Sequence, residues 1–198
     1  MIITDMRALM LNKRAKANSE KLLNSLQIKE GDVIADVGSG GGYFTFEFAK
    51  MVKNEGKVFA IDDNEKLLDF IKRRIGMEKV QNIETIIANP LGFCLSGERC
   101  DLIFFRNVFH HIDDPVSYFQ MLRQHLKPTG LVAIVEWKTH SRGHCKPEAE
   151  ICQMMKKAGY RQMRTFDFLH NQSFNLFAPE AALEKDFDQD HVIISDKS

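Results

Sequence analysis

A chain of 198 residues has room for one well-buried domain and too little for two. Its 27 basic and 27 acidic side chains cancel, so no overall positive field gathers nucleic acid, and 44% hydrophobic content with 27% charge is that of an ordinary globular protein. Four cysteines are too few for a disulfide framework, no basic-then-apolar leader opens the sequence, and no apolar run approaches the ~20 residues of a membrane span; a reducing, cytoplasmic setting is the expectation.

The chain opens on a helix-forming stretch, roughly Thr4 to Leu26, with Leu22, Leu23 and Leu26 as its apolar edge and a break at Gly31-Asp32. "VIADV" (Val33–Val37) is the short β-branched run of a buried parallel strand. Four glycines follow within residues 38–42, and then Phe44, Phe48, Met51 and Val52 recur at helical spacing as far as Asn54-Glu55-Gly56. "KVFAID" (Lys57–Asp62) is a second strand. Asn64 caps a helix carrying Leu67, Leu68, Ile71 and Ile75, expected to close at Gly76. Its Lys72-Arg73-Arg74 run reads as a solvated face.

"IETIIA" (Ile83–Ala88) and "DLIFF" (Asp101–Phe105) are the third and fourth strands. Asp114-Pro115 is a cap followed by proline at the first helical position, and Phe119, Leu122 and Leu126 form the stripe behind it, stopped by Lys127-Pro128-Thr129-Gly130. "LVAIVEW" (Leu131–Trp137) is a fifth strand. Pro147 starts a helix that Gly159 closes, and strands around Tyr160–Phe168 and Ser173–Phe177 pair as a hairpin across His170-Asn171-Gln172. Strands alternating with helices imply a doubly wound α/β fold: a mostly parallel, seven-stranded sheet, helices on both faces, and an antiparallel strand from the terminal hairpin. We expect one domain over residues 1–183, with a helical segment at 1–30, the core at 31–183 and a polar tail at 184–198.

In such sheets ligands lie beyond the carboxyl ends of the strands, and the loop after the first strand is a prime position. A dinucleotide fingerprint needs Gly-x-Gly-x-x-Gly; Gly38 and Gly40 fit, but the third position falls on Tyr43. Asp36 at the strand end would also meet a pyrophosphate with like charge. A cationic ligand such as S-adenosylmethionine reverses that logic, because a carboxylate attracts its ammonium and sulfonium while the glycines let it lie against bare backbone. Asp62, at the end of the second strand, is placed to accept from ribose hydroxyls, in preference to its neighbour Asp63.

"DVGSGGG", "AIDDN", "IANP", "DLIFFRNVFHHIDDP" and "LKPTGLVAIVE", in that order, resemble a class I S-adenosylmethionine-dependent methyltransferase, from about Gly31 to Glu136 and on through "KKAGYRQM". The subgroup is similar to the small methyltransferases of ubiquinone and menaquinone biosynthesis. The resemblance implies a Rossmann-like fold and S-adenosylmethionine as cofactor, held by Asp36, Gly38, Ser39, Gly40, Gly42, Tyr43, Asp62, Asp63, Asn89, Arg106 and Asn107. Asn89 stands where the family carries an acidic residue toward adenine, and an amide still accepts from the adenine amino group. Thr129 replaces the first glycine of the usual Pro-Gly-Gly turn.

His111 matches the subgroup's usual histidine after the fourth strand; it is read either as a general base or orienter for the acceptor, or as a structural hydrogen-bonder of the cofactor loop. His140, His144, Cys145 and Cys152 follow the fifth strand at a spacing that admits a soft metal, but in a loop with no defined scaffold, and no metal is assigned. Phe44, Phe46, Phe48, Phe104 and Phe105 are read as core, and Trp137 as lining the acceptor pocket or capping the sheet. The expected partner is a small-molecule acceptor and not nucleic acid, in a pocket that is left rather open or is closed by the N-terminal helix or by the second copy of a homodimer. A non-catalytic cofactor-binding module and a NAD-dependent reductase are the alternatives.

Overall fold

A computed structural model describes residues 2–17, 19–89, 92–95, 97–138 and 145–180. Seven strands, β1 (Val33–Val37), β2 (Lys57–Asp62), β3 (Ile83–Ile87), β4 (Cys100–Arg106), β5 (Leu126–Trp137), β6 (Tyr160–Phe166) and β7 (Gln172–Pro179), form one sheet in the order β3-β2-β1-β4-β5-β7-β6. The first five pair in parallel, whereas β7 is antiparallel to both β5 and β6. The order reverses between β1 and β4, the switch point at which the carboxyl ends of two neighbouring strands diverge and leave a crevice.

Among the described residues the sheet is accompanied by α1 (Ile2–Lys16), α2 (Ser19–Ser25), α3 (Tyr43–Val52), α4 (Glu65–Glu78), α5 (Pro115–Leu122) and α6 (Glu148–Lys157). Burial divides them between the two faces. Leu22 and Leu23 of α2 and Phe44, Phe48 and Val52 of α3 pack on Ile34, Leu102 and Phe104, while Phe119 and Leu122 of α5 and Ile151 and Met155 of α6 pack on Val37, Ile103 and Phe105. Alternate residues of β1 and β4 thus serve opposite layers, which is why both strands read as continuous apolar runs. The five phenylalanines expected in the core are all there, none more than 5% exposed.

Beyond shifts of one or two residues at strand ends, the structure departs from the sequence reading at the N-terminal stretch, at the end of α4 and at the end of α5. The N-terminal stretch is two helices, with Ser19 Oγ donating to Lys16 O where the second begins. Helix α4 runs through Gly76, where nothing crowds the backbone, and closes at Lys79 in the left-handed conformation, its N–H donating to Ile75 O. Helix α5 stops at Leu122, and Leu126 belongs to β5, because the Lys127–Gly130 turn is absorbed into that strand as a register irregularity against β4. Asn64 and Asp114 cap α4 and α5 as expected, accepting from Lys66 N and Ser117 N.

Phe104 is fully buried, with ring centroids 4.9 Å from Phe44 and 5.2 Å from Phe48. Phe104→Ala would leave a cavity under α3, and urea unfolding should show a loss of ~3–5 kcal/mol.

Candidate active site

The glycine loop runs from the end of β1 to the first turn of α3, and hydrogen bonds fix it to the second strand. Gly38 N and Ser39 N both donate to Ile61 O, at 2.8 and 3.0 Å. Gly40 N donates to Asp62 Oδ2 at 2.8 Å, and Asn64 N donates to Asp62 Oδ1 at 2.9 Å. Gly42 closes the turn, with its N–H on Ser39 O and its carbonyl accepting from Phe46 N. Gly38 has φ +71°, and a Cβ there would lie 2.2 Å from Val108 Cγ2, so the loop after β4 presses directly on the glycine loop.

The two carboxyls expected here differ in setting. Asp36 is buried beneath α3, where its Oδ2 accepts from Thr45 Oγ1 at 2.6 Å, and burial pushes its pKa to about 7. It faces the helix rather than the crevice. Asp62 is raised as well, burial being the largest cause and its two backbone N–H donors opposing it. A carboxylate has about four acceptor positions, so Asp62 keeps capacity for two further donors. Asp63 is exposed, and Asn89 is exposed beyond β3, where its backbone exchanges both hydrogen bonds with Gly92.

Helix α1 roofs the loop. Asn12 Nδ2 donates to Gly41 O at 2.8 Å, and Asn12 Oδ1 accepts from Tyr43 N at 3.0 Å. Asn12 therefore caps α3, whose own N-cap residue, Gly42, has no side chain to do so. Gly41 is pressed just as closely, since a Cβ there would meet Ala8 O at 2.3 Å. Tyr43 turns its hydroxyl to Ser19 Oγ, 2.7 Å away. On the far side of the loop, Arg106 reaches Ala15 O at 2.7 Å, and Gln172 Nε2 donates to Asn107 Oδ1 at 2.6 Å.

The loop after β4 places its two histidines differently. His111 is exposed, and its N–H closes a short 3₁₀ turn on Val108 O. His110 is turned to the end of β5, where Nδ1 lies 3.0 Å from Glu136 Oε2. Glu136 is fully buried and also accepts from His110 N and, at 2.8 Å, from Trp137 N. The two imidazole centroids are 4.0 Å apart. The Glu136–His110 pair was not foreseen, although an acid ending an apolar strand was a signal for it. Asn12, Ser19 and Gln172 gave no sequence signal, because nothing local relates them to the loop.

His140 and His144 lie outside the described residues; Cys145 and Cys152 are half-buried, and burial raises the Cys152 thiol. Among the described residues no group of three or more His, Cys, Asp or Glu is placed to hold a metal, and no helix is long and apolar enough to cross a membrane. A surface cavity of about 670 Å³ lies at the other end of the sheet, lined by residues including Lys50, Lys53, Lys79 and Asn82, and contains none of the predicted site residues.

A doubly wound sheet with its glycine loop tied to a carboxylate at the switch point is the architecture with which open α/β sheets hold adenosine-containing ligands. The family model described as methyltransferase domain matches residues 28–191. The chain belongs to the class I S-adenosylmethionine-dependent methyltransferase family. A probable cobalt-precorrin-6B C(15)-methyltransferase (decarboxylating) from Saccharolobus solfataricus is 33% identical over 97 residues, 48% of this chain and 49% of that protein. A demethylmenaquinone methyltransferase from Lactobacillus johnsonii is 26% identical over 118 residues, 59% of this chain and 48% of that one. The chain thus spans about half the length of these curated relatives. The crystal structure of a SAM-dependent methyltransferase from Aquifex aeolicus matches with a TM-score of 0.78 at 25% identity, over 86% of this chain and 95% of that one.

The Asp36 carboxyl titrates near 3.8 when unfolded and about 7 when folded. Between those values the fold holds a proton that the unfolded chain has released, so stability falls as pH rises through that window. Asp36→Asn should flatten the fall in urea stability between pH 4 and 7 by an amount on the order of a few kcal/mol.

Proposed function

We propose that the protein transfers the methyl group of S-adenosylmethionine to a small-molecule acceptor by in-line displacement. The observation that carries this reading is the Gly40–Asp62 hydrogen bond at the switch point. It aims a carboxylate with two unused acceptor positions along the edge of a bare-backbone loop. The residues fit an adenosyl ligand: Ser39 Oγ is buried without a hydrogen-bond partner among the described residues, and so is Arg106 Nε.

Asp62 would accept from the ribose hydroxyls, Asn89 would meet the adenine edge, and residues 38–42 would support the methionine portion. Asp63, Tyr43, Arg106 and Asn107 complete the rim in this reading. When bound, the cofactor supplies a methyl group activated by its sulfonium. Asp36, which burial inclines to hold a proton, would be held ionised by a cation bound in the crevice.

The chain's main contribution is orientation. Val108 pressed on Gly38, α1 over Gly41, and the Arg106–Gln172–Asn107 chain fix the crevice walls, and good alignment of reactants is worth ~7–11 kcal/mol. His111 on the exposed loop is placed either to take a proton from the acceptor or to orient it, at a typical gain of ~10²–10⁴-fold. The acceptor would enter between α1 and the loops after β4 and β5. A dinucleotide ligand is disfavoured because Tyr43, at the third fingerprint position, is engaged by Asn12 and Ser19.

Calorimetry with S-adenosylhomocysteine should give micromolar binding to the wild type, weakened ~10–150-fold in Asp62→Ala, the equivalent of ~1.5–3 kcal/mol for a hydrogen bond to a charged group. Absence of wild-type binding, or a preference for NAD, would overturn the cofactor assignment. Binding without turnover across thiols, phenols, quinols and amines would favour the non-catalytic module. The carboxylate that orients the neighbouring imidazole can be tested separately. Glu136→Gln should shift the His110 ring tautomer, read by long-range ¹H–¹⁵N correlation, while leaving S-adenosylhomocysteine affinity within about twofold.

A further inference from the structure

The end of β4 holds a cation, Arg106, that the fold has largely buried. Among the described residues no Asp or Glu side chain lies within ion-pair distance of Arg106. Its Nη1 donates to Ala15 O at 2.7 Å, its Nη2 reaches Gln172 Oε1 only at 3.4 Å, and its Nε has no hydrogen-bond partner among the described residues. The guanidinium lies over the Phe44 ring, 4.9 Å from the centroid. Burial lowers its pKa to about 10, which leaves it charged at neutral pH. Burying a guanidinium without a counter-charge is costly, and a cation–π contact offsets only part of that cost.

The geometry of what is satisfied and what is not is specific. Nη1, at one corner of the fork, is held by the roof helix. Nε and Nη2 form the adjacent edge, and two parallel N–H groups there match the two oxygens of a carboxylate. Arg106 itself stands at the strand end that borders the crevice. Arg106 is two residues beyond Phe104, the register partner of Asp36, so it shares the sheet face of Asp36 and of α3. Val108, two residues further on, is the side chain pressed against Gly38. Phe44, beneath the guanidinium, lies in the first turn of the helix that follows the glycine loop.

We propose that Arg106 is a carboxylate seat, its Nε–Nη2 edge receiving a carboxylate brought in by the bound ligand. This rests on the methyltransferase reading. The carboxylate is that of the cofactor's methionine portion or that of an acidic acceptor, and the two sources are separable. The roof is part of the device, because Ala15 O of α1 holds the same guanidinium and couples the seat to the helix covering the loop.

The test compares S-adenosylhomocysteine with 5′-methylthioadenosine, which keeps the adenosine and sulfur but lacks the amino acid. Calorimetry on wild type, Arg106→Gln and Arg106→Lys is read together with the Arg106 Nε–H resonance in ¹H–¹⁵N spectra. If the carboxylate is the cofactor's, Arg106→Gln weakens S-adenosylhomocysteine tenfold or more and leaves methylthioadenosine unchanged. Arg106→Lys, a point charge without the fork, recovers only part of the loss. The Nε–H signal then moves with the first ligand and not with the second. If the carboxylate is the acceptor's, neither ligand's affinity changes, and acetate added to the S-adenosylhomocysteine-saturated wild type moves the Nε–H signal.

An Nε–H signal indifferent to S-adenosylhomocysteine and to acetate, with Arg106→Gln binding like wild type, overturns the seat. Unchanged methylthioadenosine affinity shows that the variant is folded. Failure of the wild type to bind either adenosyl ligand sinks the methyltransferase reading instead, and acetate titration of the unliganded protein still decides whether Arg106 takes a carboxylate.

Discussion

The candidate site depends on the bond between Gly40 N–H and the Asp62 carboxylate. It joins the tip of the loop after β1 to the end of β2, so that two elements adjacent in the sheet act as one wall. The same carboxylate receives Asn64 N, which sets the start of α4. Gly38 and Ser39 add two more bonds to Ile61 O, and the loop is held to β2 along its first half. Each of these bonds requires the backbone to lie close to its neighbour, and the near-contact of Gly38 with Val108 shows how little room remains for a side chain.

Around that wall the fold arranges charge in a consistent way. Asp36, beneath the loop, is desolvated and inclined to hold a proton; Arg106, at its side, is desolvated and has no acidic partner among the described residues. Both strain against the low dielectric of the interior. A zwitterionic or cationic ligand relieves both at once, since its positive group favours the Asp36 carboxylate and a carboxylate would answer the guanidinium. Glu136 at the end of β5 is buried on the opposite face, and three of its about four acceptor positions are taken by His110 N, His110 Nδ1 and Trp137 N. Glu136 is thus engaged by donors of the fold itself, whereas Arg106 Nε has no hydrogen-bond partner among the described residues.

Much of the sheet was legible because each strand is a short apolar run bounded by glycine, proline or a capping residue. β1 and β2 fall on the expected residues, and the caps at Asn64 and Asp114 work through the side-chain oxygens that made them recognisable. The differences share one physical reason. Gly76 is open to solvent in a helix whose inward face is already decided by Leu67, Leu68 and Ile71, so propensity loses to packing. Leu126 follows a helical stripe, but it is recruited by a neighbouring strand and buried there.

The sequence by itself determined the fold class, the glycine loop and the carboxylate at the second strand's end. These are local: a period, a run of small residues, an acid at a fixed distance. It also carried the family resemblance, which lies in ordered short motifs. Tertiary structure alone decided that Asn12 caps a helix 31 residues away, that Ser19 holds Tyr43, that Glu136 selects His110 rather than His111, and that Arg106 is enclosed without an acid among the described residues. Each of these depends on where α1, β5 and β7 come to rest against the crevice. No local pattern encodes that placement, because it is set by which faces of distant elements are buried together.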